Sequence, residues 1–213
     1  MRPLLVWLRE PEVSAWELLA ARGAGLDAVL LRRPGASAET MRQGVLCARQ
    51  AGLAAIVSDR LDVALAMGSA CQLRHDSLPP SLARKVAPAL PLGASVHDEG
   101  QVLSALEAGV DYLVYGHVFA TPSKAGLPPR GITALAGIAA MASAPVLAIG
   151  GLTPGRVGEV LVAGAVGVVV RSGIRADRAA EDVARLREAL DGAPPVPGGQ
   201  GRNIREVLGC ASV

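Results

Sequence analysis

The chain lacks several features that would place a protein quickly. No apolar run reaches the ~18 residues of a membrane span before a charge or a Gly/Pro break. A membrane helix is therefore not expected. The opening stretch MRPLLVWLREPEV (1–13) holds an apolar run too short for a secretory core and meets Arg9 and Glu10 at once. Charge of one sign is also missing. Lys and Arg number 21 against 19 Asp and Glu, a net charge of +2. That is too little for a nucleic-acid partner or an anionic membrane, which call for a clustered basic face. Cys47, Cys71 and Cys210 are far apart, odd in number and without CxxC spacing. Neither a zinc motif nor a disulfide framework follows. The expectation is a cytoplasmic protein with reduced thiols.

Apolar material is abundant, at 51% hydrophobic and 19% charged residues. A length of 213 residues suits one domain, or a barrel near the lower end of the barrel size range. Short, nearly continuous apolar runs recur: LLVWL (4–8), AVLL (28–31), AAIV (54–57), CQL (71–73), GASV (93–96), YLVYG (112–116), PVLAIG (145–150) and GVVV (167–170). Such runs fit strands buried on both faces. Segments with helical spacing lie between them, including 15–25, 38–52, 99–109, 132–142 and 154–164, several ending in Gly. Asp98 and Thr153-Pro154 fit helix amino ends, and Asp62 is expected to cap the helix after the third strand. Eight strands alternating with helices predict an α/β fold, a single-domain TIM (β/α)₈ barrel over 1–191, with an open doubly wound sheet as the alternative. The segment 192–213 reads as a Pro/Gly-rich linker, GAPPVPGGQGRN, followed by a tail. That tail is either a flexible end or an arm on a neighbouring subunit, which makes a homodimer plausible.

In such a barrel, chemistry sits on the loops after the strands, and phosphate often binds after strands seven and eight. AIGGLTP (148–154) offers Gly150 and Gly151, whose backbones can approach an anion beside a helix amino end. VVVRSGI (168–174) offers Ser172 and Gly173, read as opening the next helix. These four are the predicted phosphate-binding residues; ordinary tight turns are the plainer reading. The stretch DYLVYGHVFATPSKAGLPPRG (111–131) gathers the only Phe, both Tyr and one of two Lys. His117 sits there at a strand end, where a neutral imidazole can shuttle a proton. Thr121, Ser123 and Lys124 form a polar loop that suits a lid or anion clamp. Arg32 and Asp59, after strands two and three, are further substrate-binding candidates. His97 is read as bonding a backbone carbonyl, and His75 as solvated.

The joint pattern of VSDRLDVALAMG (57–68), SVH (95–97), GHVFATPSKAGLPPRG (116–131), PVLAIGGLTP (145–154) and VRSGI (170–174) resembles the thiamine phosphate synthase/TenI superfamily over roughly 27–175. The resemblance implies a (β/α)₈ barrel. Synthases of this family join a pyrimidine diphosphate to a thiazole phosphate with Mg²⁺. Of their QLREK-like diphosphate element, LLRRP (30–34) keeps only Leu31 and Arg32. Of their HLGQED-like metal loop, QLRHDS (72–77) puts Ser77 at the acidic position, while Asp59 aligns with the other ligand. One carboxylate is a poor Mg²⁺ site. The TenI branch is similar through His117, Lys124, Gly126, Leu127, Arg130 and Gly131. It implies a thiazole tautomerase, an isomerase acting on a small phosphorylated thiazole with His117 as the acid/base and no cofactor. The alternatives are a Mg²⁺-dependent synthase and a non-catalytic thiazole-phosphate-binding regulator.

Overall fold

The structure, a computed structural model, describes residues 2–194 and 203–210. Eight parallel strands close in sequence order: β1 (Leu4–Arg9), β2 (Ala28–Leu31), β3 (Ala54–Ser58), β4 (Ala70–Leu73), β5 (Leu92–Val96), β6 (Tyr112–Gly116), β7 (Val146–Ile149) and β8 (Gly167–Val170). Closure runs through Leu4↔Gly167 to Trp7↔Val170, so no sheet edge is left. The helices are α1 (Ala15–Gly23), α2 (Ala38–Gln50), α3 (Leu61–Met67), α4 (Pro80–Val86), α5 (Glu99–Glu107), α6 (Gly131–Met141), α7 (Pro154–Val162), α8 (Ala179–Asp191) and α9 (Ile204–Val207). The expected barrel is the observed one. No helix among the described residues is long and apolar enough to cross a membrane.

Side-chain alternation along each strand divides the core in two. Leu4 and Val6 of β1 point inward, with Leu30, Ile56, Tyr112, Val114, Leu147 and Val169. Leu5 and Trp7 point outward against the helices. The barrel interior is tight enough to require a glycine. A Cβ on Gly93 would lie 2.2 Å from the Tyr112 ring, so Gly93 makes room for that fully buried aromatic.

Local signals explain most helix starts. Ser14, Ser37 and Asp98 accept hydrogen bonds from the amides of Glu17, Thr40 and Gln101. Thr153 holds the N-cap position of α7 with Pro154 in the first turn, although its hydroxyl makes no cap bond. Asp62 does not cap α3. It lies inside the first turn and pairs with Arg60, 2.5 Å from Nη2, while Arg60 occupies the N-cap. Ser172 and Gly173 do not open a helix either. They lie in a turn, and a 3-10 segment (Ala176–Arg178) intervenes before α8 begins at Ala179.

The described part of 192–213 beyond the linker folds back on its own barrel. Ile204 and Leu208 are buried in the inner cluster with Leu4, Ala28 and Ala70, near the strand starts. Just before β2, the fully buried Asp27 carboxylate receives Arg187 Nη2 and Arg205 Nη1, each at 2.7 Å, and the Leu5 amide at 2.8 Å. The short α9 thus closes the amino-terminal end of the barrel. Positions 195–202 and 211–213 of the expected linker and tail lie outside the described residues.

Candidate active site

At the opposite, carboxyl-terminal end the strand loops surround an open cavity of about 610 Å³, a volume ordinary for a small-molecule site. Its floor is the top of the inner core: Leu8, Leu30, Val114, Ile149 and Val169. Its walls are polar. Every residue expected at the site lines the cavity except Asp59, so Arg32, His117, Thr121, Ser123, Lys124, Gly150, Gly151, Ser172 and Gly173 are brought together.

The glycine pair after β7 has a packing duty. Gly150 has φ +104°, and a Cβ there would lie 2.4 Å from the His117 Cβ. Gly151 has φ +65°, and a Cβ would lie 2.5 Å from the Ala120 carbonyl oxygen. The two glycines let the β6 loop cross close over β7, where the Phe119 amide donates to Gly150 O at 3.1 Å. Among the described residues, no backbone acceptor is recorded for the amides of Gly150, Gly151, Ser172 and Gly173. They remain available to an anion.

His117 follows Gly116 at the end of β6, and its Nε2–H donates to Leu127 O at 3.3 Å. The loop closes on itself where the amides of Arg130 and Gly131 donate to the carbonyls of His117 and Val118. A 3-10 turn (Pro122–Lys124) carries Ser123 and Lys124 on its exposed surface. His97 Nδ1 donates to Gly116 O at 2.6 Å, the backbone bond expected of it. Burial holds the His97 pKa below its ordinary value, against the raising effect of that bond and with help from nearby Arg130, His75 and Lys124. The exposed His75 packs its ring edge-on to His97, centroids 5.4 Å apart, and lines the cavity. Burial pushes the Cys71 thiol up to about 12 and the Cys210 thiol up to about 11, so neither serves as a thiolate nucleophile.

Asp59 lies behind the wall. Its backbone is left-handed, φ +62°, a conformation Asp tolerates better than most residues. Oδ1 accepts the Arg74 amide at 3.1 Å, and Oδ2 lies 2.7 Å from Arg74 Nε. The second contact is an ion pair off the hydrogen-bond line, because the buried Nε proton has no aligned acceptor. Arg74 and Arg171, which line the cavity beside Arg32, were not singled out from the sequence. The available signal was a repeated Arg directly after the last strand residue, in LLR (30–32), QLR (72–74) and VVR (169–171).

A closed parallel barrel with an apolar floor, free amides and arginines at its strand ends defines a small-molecule (β/α)₈ barrel. The chain belongs to the thiamine monophosphate synthase family: a profile of that description matches residues 10–174. Its relatives include a thiamine-phosphate synthase of Chlorobium luteolum, 34% identical over 197 residues, covering 88% of this chain and 92% of the relative. Another is a thiamine-phosphate synthase of Salinispora arenicola, 44% identical over 152 residues, covering 70% and 71%. Among solved structures, a thiamine phosphate pyrophosphorylase from Pyrococcus furiosus superposes with a TM-score of 0.78 at 28% identity, covering 89% of this chain and 96% of that one.

These relatives overturn the tautomerase expectation. Two are named as thiamine-phosphate synthases and one as a thiamine phosphate pyrophosphorylase, which points to a transferase and not to an isomerase. The cavity gathers several cationic groups. Arg32, Arg74 and Arg171 line it together with the amides of Gly150, Gly151, Ser172 and Gly173.

The Mg²⁺ implied by the synthase family does not fit the residues here. Mg²⁺ requires near-octahedral oxygen ligation, commonly from one or two carboxylates with substrate phosphate. Asp59 Oδ1 accepts the Arg74 backbone amide, and Oδ2 is shared between the Ser58 hydroxyl at 3.2 Å and Arg74 Nε, which sets a guanidinium directly against the carboxylate. The Ser77 hydroxyl, at the other expected ligand position, lies 3.1 Å from the Arg74 amide and 3.0 Å from its carbonyl oxygen.

Proposed function

We propose that the chain is a transferase that joins a thiazole phosphate to a pyrimidine diphosphate, forming thiamine phosphate and releasing diphosphate. The observation that supports this most directly is the division of polar groups around one apolar floor. Free amides of Gly150, Gly151, Ser172 and Gly173 lie after β7 and β8, and arginines lie after β8, β2 and β4. One region suits a monophosphate and the neighbouring one suits a leaving diphosphate. In the reaction the thiazole ring nitrogen bonds to the pyrimidine side-chain carbon. The C–O bond to diphosphate breaks, and its electron pair leaves with the diphosphate.

The quaternary nitrogen so formed carries no proton, so no general base is required at the bond-forming step. His117 therefore acts as a positioning residue that fixes the 117–131 loop through Leu127 O, with Thr121, Ser123 and Lys124 over the bound phosphate. A cytoplasmic location accords with the free state of all three cysteines. The test is incubation of purified protein with both substrates, followed by chromatography. Thiamine phosphate and inorganic diphosphate in equal amounts are expected. No product above the uncatalysed background, with or without Mg²⁺, would refute the reading.

A further inference from the structure

Three arginines stand directly after three strands on one half of the mouth. Arg32 follows β2, Arg74 follows β4 and Arg171 follows β8, and all three line the main cavity. Arg32 and Arg171 also share a smaller adjoining depression of about 170 Å³ beside Arg9. Their protein surroundings do not balance them. Arg9 has its own partner in Glu17, at 2.9 Å. Among the described residues, Arg32 and Arg171 form no ion pair and no side-chain hydrogen bond. Arg74 is held by Asp59 and by Asp76, 3.0 Å from Nη2, which leaves Nη1 without an acceptor among the described residues. Burial, then the positive field of Arg74, lowers the Arg32 pKa; Arg171 lowers it further, while Asp59 and Asp76 oppose. Like charges gathered at a partly dry rim are unfavourable until an anion joins them. Guanidinium forks match phosphate oxygens two at a time.

The same arrangement fills the place of a metal. Asp59 is the one carboxylate of the expected ligand pair present in this chain, and it meets Arg74 twice, at the backbone amide and at Nε. We infer that Arg74, clamped by Asp59, stands in for a divalent cation, and that Arg32, Arg74 and Arg171 bind the diphosphate group directly, without metal. This rests on the transferase reading for its substrate class, but the anion site itself can be measured alone.

The probe is inorganic pyrophosphate, titrated calorimetrically into the whole protein in EDTA and again in Mg²⁺, with inorganic phosphate as a control. Binding in EDTA at least as tight as in Mg²⁺, and tighter than for phosphate, is expected. Arg74→Gln should weaken it at least tenfold. Arg171→Gln, outside the Asp59 pair and on an exposed turn, should weaken it severalfold and covers the case in which the first variant fails to fold. Pyrophosphate binding that appears only with Mg²⁺ would overturn the inference, as would unchanged affinity in a folded Arg74→Gln protein. A coupling assay on the same samples separates the two ideas. Coupling that strictly needs Mg²⁺ keeps the transferase and sinks the metal-free site. Tight pyrophosphate binding in EDTA without coupling under any condition keeps the site and sinks the transferase.

Discussion

Each end of this barrel sets an aspartate against arginine, and the two ends use the pairing in different ways. At the floor, Asp27 is fully buried between Arg187 and Arg205, with a backbone amide completing the set. At the mouth, Asp59 is partly exposed and holds one arginine, while Arg32 and Arg171 remain unmatched around an open cavity. A carboxylate sealed among cations closes a structure. A carboxylate that serves one cation and leaves two others unmatched prepares a place for an anion brought from outside.

The contrast is most sharply tested at the floor. Asp27→Ala would remove the buried carboxylate from both arginines, leaving Arg187 only its outer carboxylate partner Asp191, and should cost about 3–5 kcal/mol, read from urea unfolding. Pyrophosphate affinity in the protein that still folds should stay unchanged, and a loss there would mean the ends are coupled. Asp59→Asn should do the reverse. Its ion pair is partly solvated, so stability should fall by only about 0–1 kcal/mol, while loosening of Arg74 should weaken pyrophosphate binding by about tenfold, or 1.4 kcal/mol. Equal damage to stability from both substitutions would erase the distinction. His117→Ala is expected to raise KM severalfold for the thiazole phosphate with kcat nearly constant, the pattern of lost uniform binding. A collapse of kcat with a changed pH profile would return the imidazole to acid/base chemistry.

The smallest effect is one of pH. The folded pKa of His97 lies below its unfolded value, near 6.5. Below that pH the unfolded chain binds the proton more readily, so stability present at neutral pH is lost as pH falls through the folded value. Melting temperature should decline below pH ~6.5 in the wild type, and less steeply in His97→Gln. Parallel declines in both proteins would assign the acid sensitivity elsewhere.

The barrel was legible because parallel strands buried on both faces read as continuous apolar runs. All eight expected strands agree with the observed ones to within a residue at each end. His117 and the Gly150-Gly151 pair were legible for the same reason, since strand ends define the mouth. The fate of 204–210 was not. IREV is one turn of helix, and what fixes it, Asp27 and the inner core, lies far back in the chain. Ser172-Gly173 misled because small residues before a helical segment look alike whether or not a 3-10 turn intervenes. Arg74 was hidden because QLRHDS (72–77) departs from the family pattern most visibly at Ser77, where an acid is missing. The added base two residues before Asp76 was the informative change.

The floor also has a consequence in time. Asp27 precedes Arg187 by 160 residues and Arg205 by 178. At synthesis rates of about 5–20 residues per second, the carboxylate leaves the ribosome on the order of ten to thirty seconds before its counter-charges. Until they arrive, burying Asp27 would be costly, so the first strands must wait in water, uncommitted. A chain stopped short of Arg187 would carry all eight strands but leave Asp27 without either arginine. The last helices therefore complete the charge at the floor after every strand has been made.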